Sequence, residues 1–307
     1  MVTKAVFSDP FSAPGRWFRG NLHAHTTNSD GVLSAKQMAF LYERSGYDFL
    51  AITDHGRLTD VRELSNSGFL AIPGEEISVG ASEVGTAFHL LAVGIEEEVP
   101  AKEGDAGEDP QRVIGLAKDR GGEVILGHPY WSALSARDML SLEGYLGIEV
   151  YNTSCFFSIA KGHSLSHWDE LLARGRRPLG FATDDAHWHF NDHRPNDACG
   201  AWISVKAPEL SLDAIMKSVR EGLFYASNGP EIRDVKINGD EIQVETSSVS
   251  AISFVASLDL GERFAAVEGG AIASASYRLR GGERYVRIEC TDSEGRSAWS
   301  NPIFFER

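Results

Sequence analysis

The spacing of hydrophobic positions along this chain changes character once. Over residues 17–230, short apolar runs alternate with stretches in which apolar residues recur every three or four positions, the pattern of a mainly parallel sheet wrapped by helices. After a first strand ending at Leu22, strands are predicted at Phe49 to Ile52, Gly68 to Ile72, His89 to Val93, Glu123 to Leu126, Ile148 to Tyr151 and Leu179 to Ala182. A helix opens at Ser34, where Gln37 completes a capping box, and stops at Gly46, with Met38, Leu41 and Tyr42 on one face. Further helices are predicted from Pro110 to Arg120, Ser166 to Arg174 and Ser211 to Glu221, each followed by glycine. Residues 96–109 are acidic and lack apolar periodicity, and read as a solvated surface loop.

Beyond Asn228-Gly229-Pro230 the period becomes two. Segments such as Glu241 to Glu245 and Tyr285 to Glu289 alternate strictly and are separated by Asn238-Gly239-Asp240 and Gly281-Gly282, so residues 232–307 are expected to form a small antiparallel β-sandwich. The chain therefore divides, on this reading, into an α/β unit over 1–231 and an all-β unit over 232–307, the second packing on the first. A length of 307 residues accommodates one large domain and one small one.

A net charge of −15 repels a polyanion at long range and disfavours a nucleic-acid partner. Cys155, Cys199 and Cys290 are odd in number and far apart, which predicts free buried thiols and neither a disulfide framework nor a CxxC metal site. No apolar run reaches the roughly 18 residues of a membrane span, and residues 1–20 lack the features of a secretion signal, so a cytoplasmic location is expected.

The candidate chemistry lies at the predicted strand ends. His23 and His25 follow the first, Asp54 and His55 the second, Glu75 and Glu76 the third, His128 the strand that closes at Gly127, and Asp184, Asp185 and His187 the strand ending at Ala182. In parallel strands those ends share one face, where sites of this architecture are built. Alternate residues of an extended segment point the same way, so His23 and His25 are suited to grip one ion. His89 begins a strand, and joins the cluster only if residues 76–94 make a hairpin-like excursion.

In their order, His23-Ala24-His25-Thr26 with Ser29-Asp30-Gly31, Thr53-Asp54-His55, Gly74-Glu75-Glu76-Ile77-Ser78, His89, Gly127-His128-Pro129 and Asp185-Ala186-His187 resemble the motifs of the PHP (polymerase and histidinol phosphatase) superfamily. Tyr151-Asn152, the helix from Trp168 to Gly175, Ser227 to Pro230 and Ala298 to Pro302 are more particularly similar to the branch containing carbaryl hydrolase. The resemblance implies a distorted (βα)7 barrel, up to three metals, and hydrolysis of a small phosphate ester by a metal-bound hydroxide. It implies that His23, His25, Glu76 and Asp185 surround one metal, that Glu76 bridges to a second held by His89 and His128, and that Asp30, His55 and His187 hold a third. Glu75 and Asp184 neighbour the chosen carboxylates, and Asp54 is expected to orient a ligand. The mixed nitrogen and oxygen set suits zinc, manganese or iron without choosing among them.

His163 and Arg194 are the preferred candidates for gripping phosphate or moving protons, since each lies in a polar loop beside a motif; Arg57, Lys161, His167, His189 and His193 are weaker ones. Tyr130 and Trp131 are placed to stack on a substrate ring or simply to pack. A carboxyl or carbamate ester hydrolase is the rival enzyme reading, and a non-catalytic binding module the rival of another class.

Overall fold

In the computed structural model, which describes residues 4–191, 193–267 and 269–306, the strands are β1 (Lys4–Val6), β2 (Arg16–Asn21), β3 (Phe49–Ile52), β4 (Leu70–Val79), β5 (Phe88–Val93), β6 (Glu123–Leu126), β7 (Gly147–Asn152), β8 (Leu179–Thr183), β9 (Trp202–Ala207) and β10 (Phe224–Ser227). The later strands are β11 (Ile232–Asn238), β12 (Glu241–Val249), β13 (Ala251–Ala256), β14 (Gly261–Ala265), β15 (Ile272–Arg278), β16 (Tyr285–Thr291), β17 (Ser297–Ser300) and β18 (Ile303–Glu306). The helices are α1 (Ala35–Arg44), α2 (Pro110–Asp119), α3 (Ala136–Leu140), α4 (Thr153–Ile159), α5 (Leu165–Ala173) and α6 (Leu212–Arg220).

Capping chemistry sets α1, α2 and α6 where the sequence put them. The Ser34 hydroxyl accepts from the Gln37 amide and Gln37 reaches back to the Ser34 backbone, opening α1. Asp109 followed by Pro110 opens α2, and Ser211 opens α6. Helices α3 and α4 were not anticipated, because five and seven residues are too few to display a helical period.

The sheet runs parallel from β2 through β3 to β4 and again from β6 through β7 to β8, with β5 antiparallel to both β4 and β6. On the other flank β9 pairs antiparallel with β2, and β10 with β9. The expected repeat of strand and helix is thus broken: the strands form a mixed α/β sheet with fewer helices than a regular (βα)7 barrel has. Residues 80–87 join β4 to β5, fewer than the dozen or so that a parallel crossover needs. Among the described residues, the segments that follow β2 and β8 are joined by one parallel bridge, Ala24 to Ala186, at the end where the candidate ligands lie.

β11, β12 and β15 form a separate three-stranded sheet, whereas β17 pairs with β10 and β1 with β18, so one hydrogen-bonded sheet crosses the expected boundary at residue 231. Ile242, Phe254, Tyr277 and Ile288 centre an apolar cluster there, which Phe7, Phe11 and Trp17 from the other end of the chain also cover. Arg287 of β16 is buried and reaches Asp169 of α5 with two hydrogen bonds, of 2.8 and 2.7 Å, and Glu289 with one of 3.0 Å. Its guanidinium also lies 5.2 Å from the ring centroid of Trp168.

Candidate metal centre

Each predicted ligand falls within one of four overlapping groups of metal-binding side chains, all at one end of the sheet. His23 and His25 follow β2 with only Ala24 between them, and both rings are buried. His23 Nε2 stands 3.1 Å from His25 Nε2, 3.1 Å from Glu76 Oε2 and 3.2 Å from Asp185 Oδ1. His25 Nε2 is 3.1 Å from each of the same two oxygens. Glu76 then turns its other oxygen to His89 Nδ1, at 2.7 Å, and His128 Nε2, at 3.1 Å. A third group comprises Asp30, His55, His187 and again His25, with His187 Nε2 3.3 Å from Asp30 Oδ2.

Register explains the convergence. β4 continues through Pro73-Gly74 as far as Val79, so Glu76 sits inside a strand, and the pairing of Ser78 with His89 carries the start of β5 beside it. The hairpin-like excursion invoked for His89 is thereby realised. Two site residues hold left-handed backbone, His128 at φ 26° and Asp185 at φ 54°, a conformation that costs a non-glycine residue about 1–3 kcal/mol and concentrates at functional sites.

Acceptors behind the rings decide their tautomers. Glu149 is fully buried on β7 and only accepts, so His23 Nδ1–H donates to its Oε1 at 2.7 Å. Its other oxygen accepts from the His128 amide at 2.7 Å and from Asn152 at 2.9 Å. Likewise His187 Nδ1–H donates to the Asp185 carbonyl at 2.7 Å. In the neutral rings the remaining nitrogens, His23 Nε2 and His187 Nε2, then present lone pairs to carboxylate oxygens. Acceptors face acceptors.

A proton or a cation must lie between them. Burial alone would lower the His25 pKa, yet hydrogen bonds and charge from Asp185 and Glu76 hold it up to about 9, and His23 is raised in the same way. Burial would raise the Glu76 and Asp185 carboxyls, but the surrounding rings, His23 foremost, hold both well below the usual carboxylate range. The donor spacing suits a metal: four ligands about 2.0–2.1 Å from a tetrahedral ion stand about 3.3 Å apart, close to the 3.1–3.2 Å between these nitrogens and oxygens.

The neighbouring acids do other work. Asp54 accepts from Thr26 N at 2.6 Å and Ser29 Oγ at 2.7 Å, holding the His25 loop. Asp184 accepts from the amides of Cys199, Gly200 and Ala201 and from Tyr42 and Thr153. Glu75 turns away from the cluster to accept from Val99 N at 3.0 Å, and burial pushes it up to about 7. The acidic loop is anchored here as well, since Glu103 accepts from Ser78 N at 2.7 Å and lies 3.7 Å from His55 Nδ1. Most of the segment is nonetheless exposed, as its acidic, aperiodic sequence predicts.

The centre opens into a cavity of about 290 Å³ that Arg194, Trp131 and His189 also line. Arg194 Nη2 donates to Ser154 Oγ at 2.8 Å. His163 is not brought into this cavity; it packs 5.0 Å from the Tyr151 ring and lines a different one. Arg57, Lys161, His167 and His193 do not line the metal-site cavity either. Glu149 is the site residue that sequence reading missed, and its signal was a lone carboxylate inside an apolar strand. Glu149→Gln is expected to weaken metal affinity roughly 10–100-fold, measured by competition with a chromogenic chelator; unchanged affinity would deny Glu149 its orienting role.

No family model matches the chain. A phosphoribosyl 1,2-cyclic phosphate 1,2-diphosphodiesterase of Eggerthella lenta is 36% identical over 85 residues, 26% of this chain and 32% of that protein. The DNA polymerase/3'-5' exonuclease PolX of Bacillus subtilis is 44% identical over 43 residues, 14% of this chain and 8% of its own length. The matches thus span about a third of the first relative and less than a tenth of the second. The fold as a whole is shared. A two-domain protein from Bacteroides vulgatus, described as containing a predicted PHP-like metal-dependent phosphoesterase, aligns over 92% of this chain and 94% of its own with a TM-score of 0.52 at 16% identity.

Proposed function

We propose that this chain is a metal-dependent phosphoesterase of the PHP superfamily, acting on a small-molecule phosphate ester at the centre around Glu76. The observation that carries the reading is that His23, its Nδ1–H engaged by Glu149, turns Nε2 to the buried oxygens of Glu76 and Asp185 at distances that suit the donors of one divalent cation. The fold shared with the Bacteroides protein and the partial identity to a cyclic-phosphate diesterase support it. In this reading His23, His25, Glu76 and Asp185 hold one cation, Glu76, His89 and His128 a second, and Asp30, His55 and His187 a third. Zinc, manganese and iron all suit such ligands.

Bound there, such cations supply Lewis acidity and bring the pKa of water down to about 7. The chain's own groups do the rest. Glu149 fixes the His23 ring. Arg194, steadied by Ser154, presents a planar donor to a phosphate oxygen. Trp131 lies edge-on to His89 and His128, with ring centroids 5.6 and 5.1 Å away, and shields that side from water.

Elemental analysis of protein purified without added metal, followed by a substrate panel, tests the proposal. Exhaustive chelation is expected to lower turnover of bis(p-nitrophenyl) phosphate at least about 100-fold, with recovery on adding zinc, manganese or iron(II). Turnover that survives complete metal removal would overturn the reading. Hydrolysis of naphthyl esters or carbamates without that of phosphoesters would move the chain to the carbaryl-hydrolase-like branch.

A further inference from the structure

A second cavity, of about 450 Å³, lies on the other side of α4. The helix is a partition: Ser154, Cys155 and Ser158 line the metal-site cavity, whereas Thr153, Phe156 and Phe157 line this one. No residue lines both, so the chemistry of the second cavity is independent of the phosphoesterase reading.

The unusual member of its wall is Arg19 of β2. The guanidinium carbon lies 3.6 Å from the ring centroid of Trp202 and 4.2 Å from that of Tyr47, and Nη2 donates to the Tyr47 hydroxyl at 3.2 Å. Its Nε is buried without a hydrogen-bond partner. Asp48 accepts from the Arg19 backbone amide, and Glu294, the carboxylate on the cavity wall, is paired with Arg296. Among the described residues no carboxylate forms an ion pair with this side chain, in a protein that carries 44 acidic residues against 29 basic ones. Taking a guanidinium half out of water is costly unless charge and hydrogen bonds compensate it, and ring faces compensate only in part.

The remaining wall indicates what would complete it. Phe156 and Trp202 offer aromatic surface, and the His163 ring lies 5.0 and 5.6 Å from Tyr151 and Phe156. Arg296 is a second cation on the wall, but it is already paired with Asp292 and Glu294. The charge left over is that of Arg19. We infer that this cavity is a second binding site, which takes a small planar aromatic molecule bearing one anionic group that pairs with Arg19.

Calorimetric titration of the metal-loaded full chain with 2-naphthoate, and with the uncharged 2-naphthamide, tests this. The acid is expected to bind saturably and at least about tenfold more tightly than the amide, the size of one charged hydrogen-bonded contact. Arg19→Met is expected to lose about the same factor, while Arg194→Met, at the metal centre, keeps the affinity of the unmodified chain. Arg19→Lys, which keeps the charge without the planar fork, loses part of it and serves if the methionine variant does not fold. Equal affinity for acid and amide, undiminished binding in the Arg19 variants, loss in Arg194→Met, or no saturable binding at millimolar concentration overturns the inference.

Discussion

Glu76→Gln is expected to lower kcat/KM for bis(p-nitrophenyl) phosphate by on the order of 1,000-fold, about 4 kcal/mol of transition-state stabilisation. The size follows from the position of one carboxylate: Oε1 faces His89 and His128, and Oε2 faces His23, His25 and, at 3.4 Å, His55. Glutamine keeps the shape but loses the charge and turns an acceptor into a donor, so it disturbs more than one cation position at once. Metal stoichiometry measured on the same preparation should fall with activity. A variant that keeps its metals and stays within about tenfold of the parent rate would show that Glu76 does not bridge.

The second large effect concerns stability. Asp169→Ala strips the Arg287 guanidinium, whose side chain is 3% exposed, of the carboxylate that takes two of its hydrogen bonds. Removing one partner of a buried pair typically costs about 3–5 kcal/mol. Because Glu289 remains at 3.0 Å and Asp169 is itself 32% exposed, a value near the lower end, about 3 kcal/mol, is expected. The double variant Asp169→Ala/Arg287→Met should recover much of the loss, since no buried charge is then left unpaired. Urea unfolding of the single and double variants measures both; equal destabilisation in the two would mean that packing on Trp168, not charge, sets the cost.

Local chemistry made much of this molecule legible in its sequence. Ser34 with Gln37, Pro110, and Ser211 are self-contained signals, and the helices begin where they say. The strand ends at His25, His55, His128 and Asp185 were readable because a polar residue after an apolar run marks the point where a strand leaves the core. What was hidden depended on pairing across the chain. Pro73-Gly74-Glu75-Glu76 resembles the close of a strand, yet β4 runs through it, since Glu76 is accommodated by the rings around it and Glu75 by the Val99 amide. Glu149 was overlooked for the converse reason: an apolar run reads as core, and the partners that justify a buried carboxylate, His23 and Thr183, are remote in sequence. His163 has the composition of a site loop, but its surroundings are aromatic.

The pairing of β2 with β9 bears on how the chain is made. Residues 16–21 find their antiparallel partner only at residues 202–207, and at a synthesis rate of about 5–20 residues per second the earlier strand waits on the order of ten seconds or more for the later one. Until then β2 offers a free edge to other nascent chains, a hazard of non-local topologies. Its own sequence, Arg16-Trp17-Phe18-Arg19-Gly20-Asn21, carries two cationic side chains on that short strand, and such charges keep unpaired edges from joining one another. Arg16 and Arg19 thus place charge on an edge that stays open while the chain is being made.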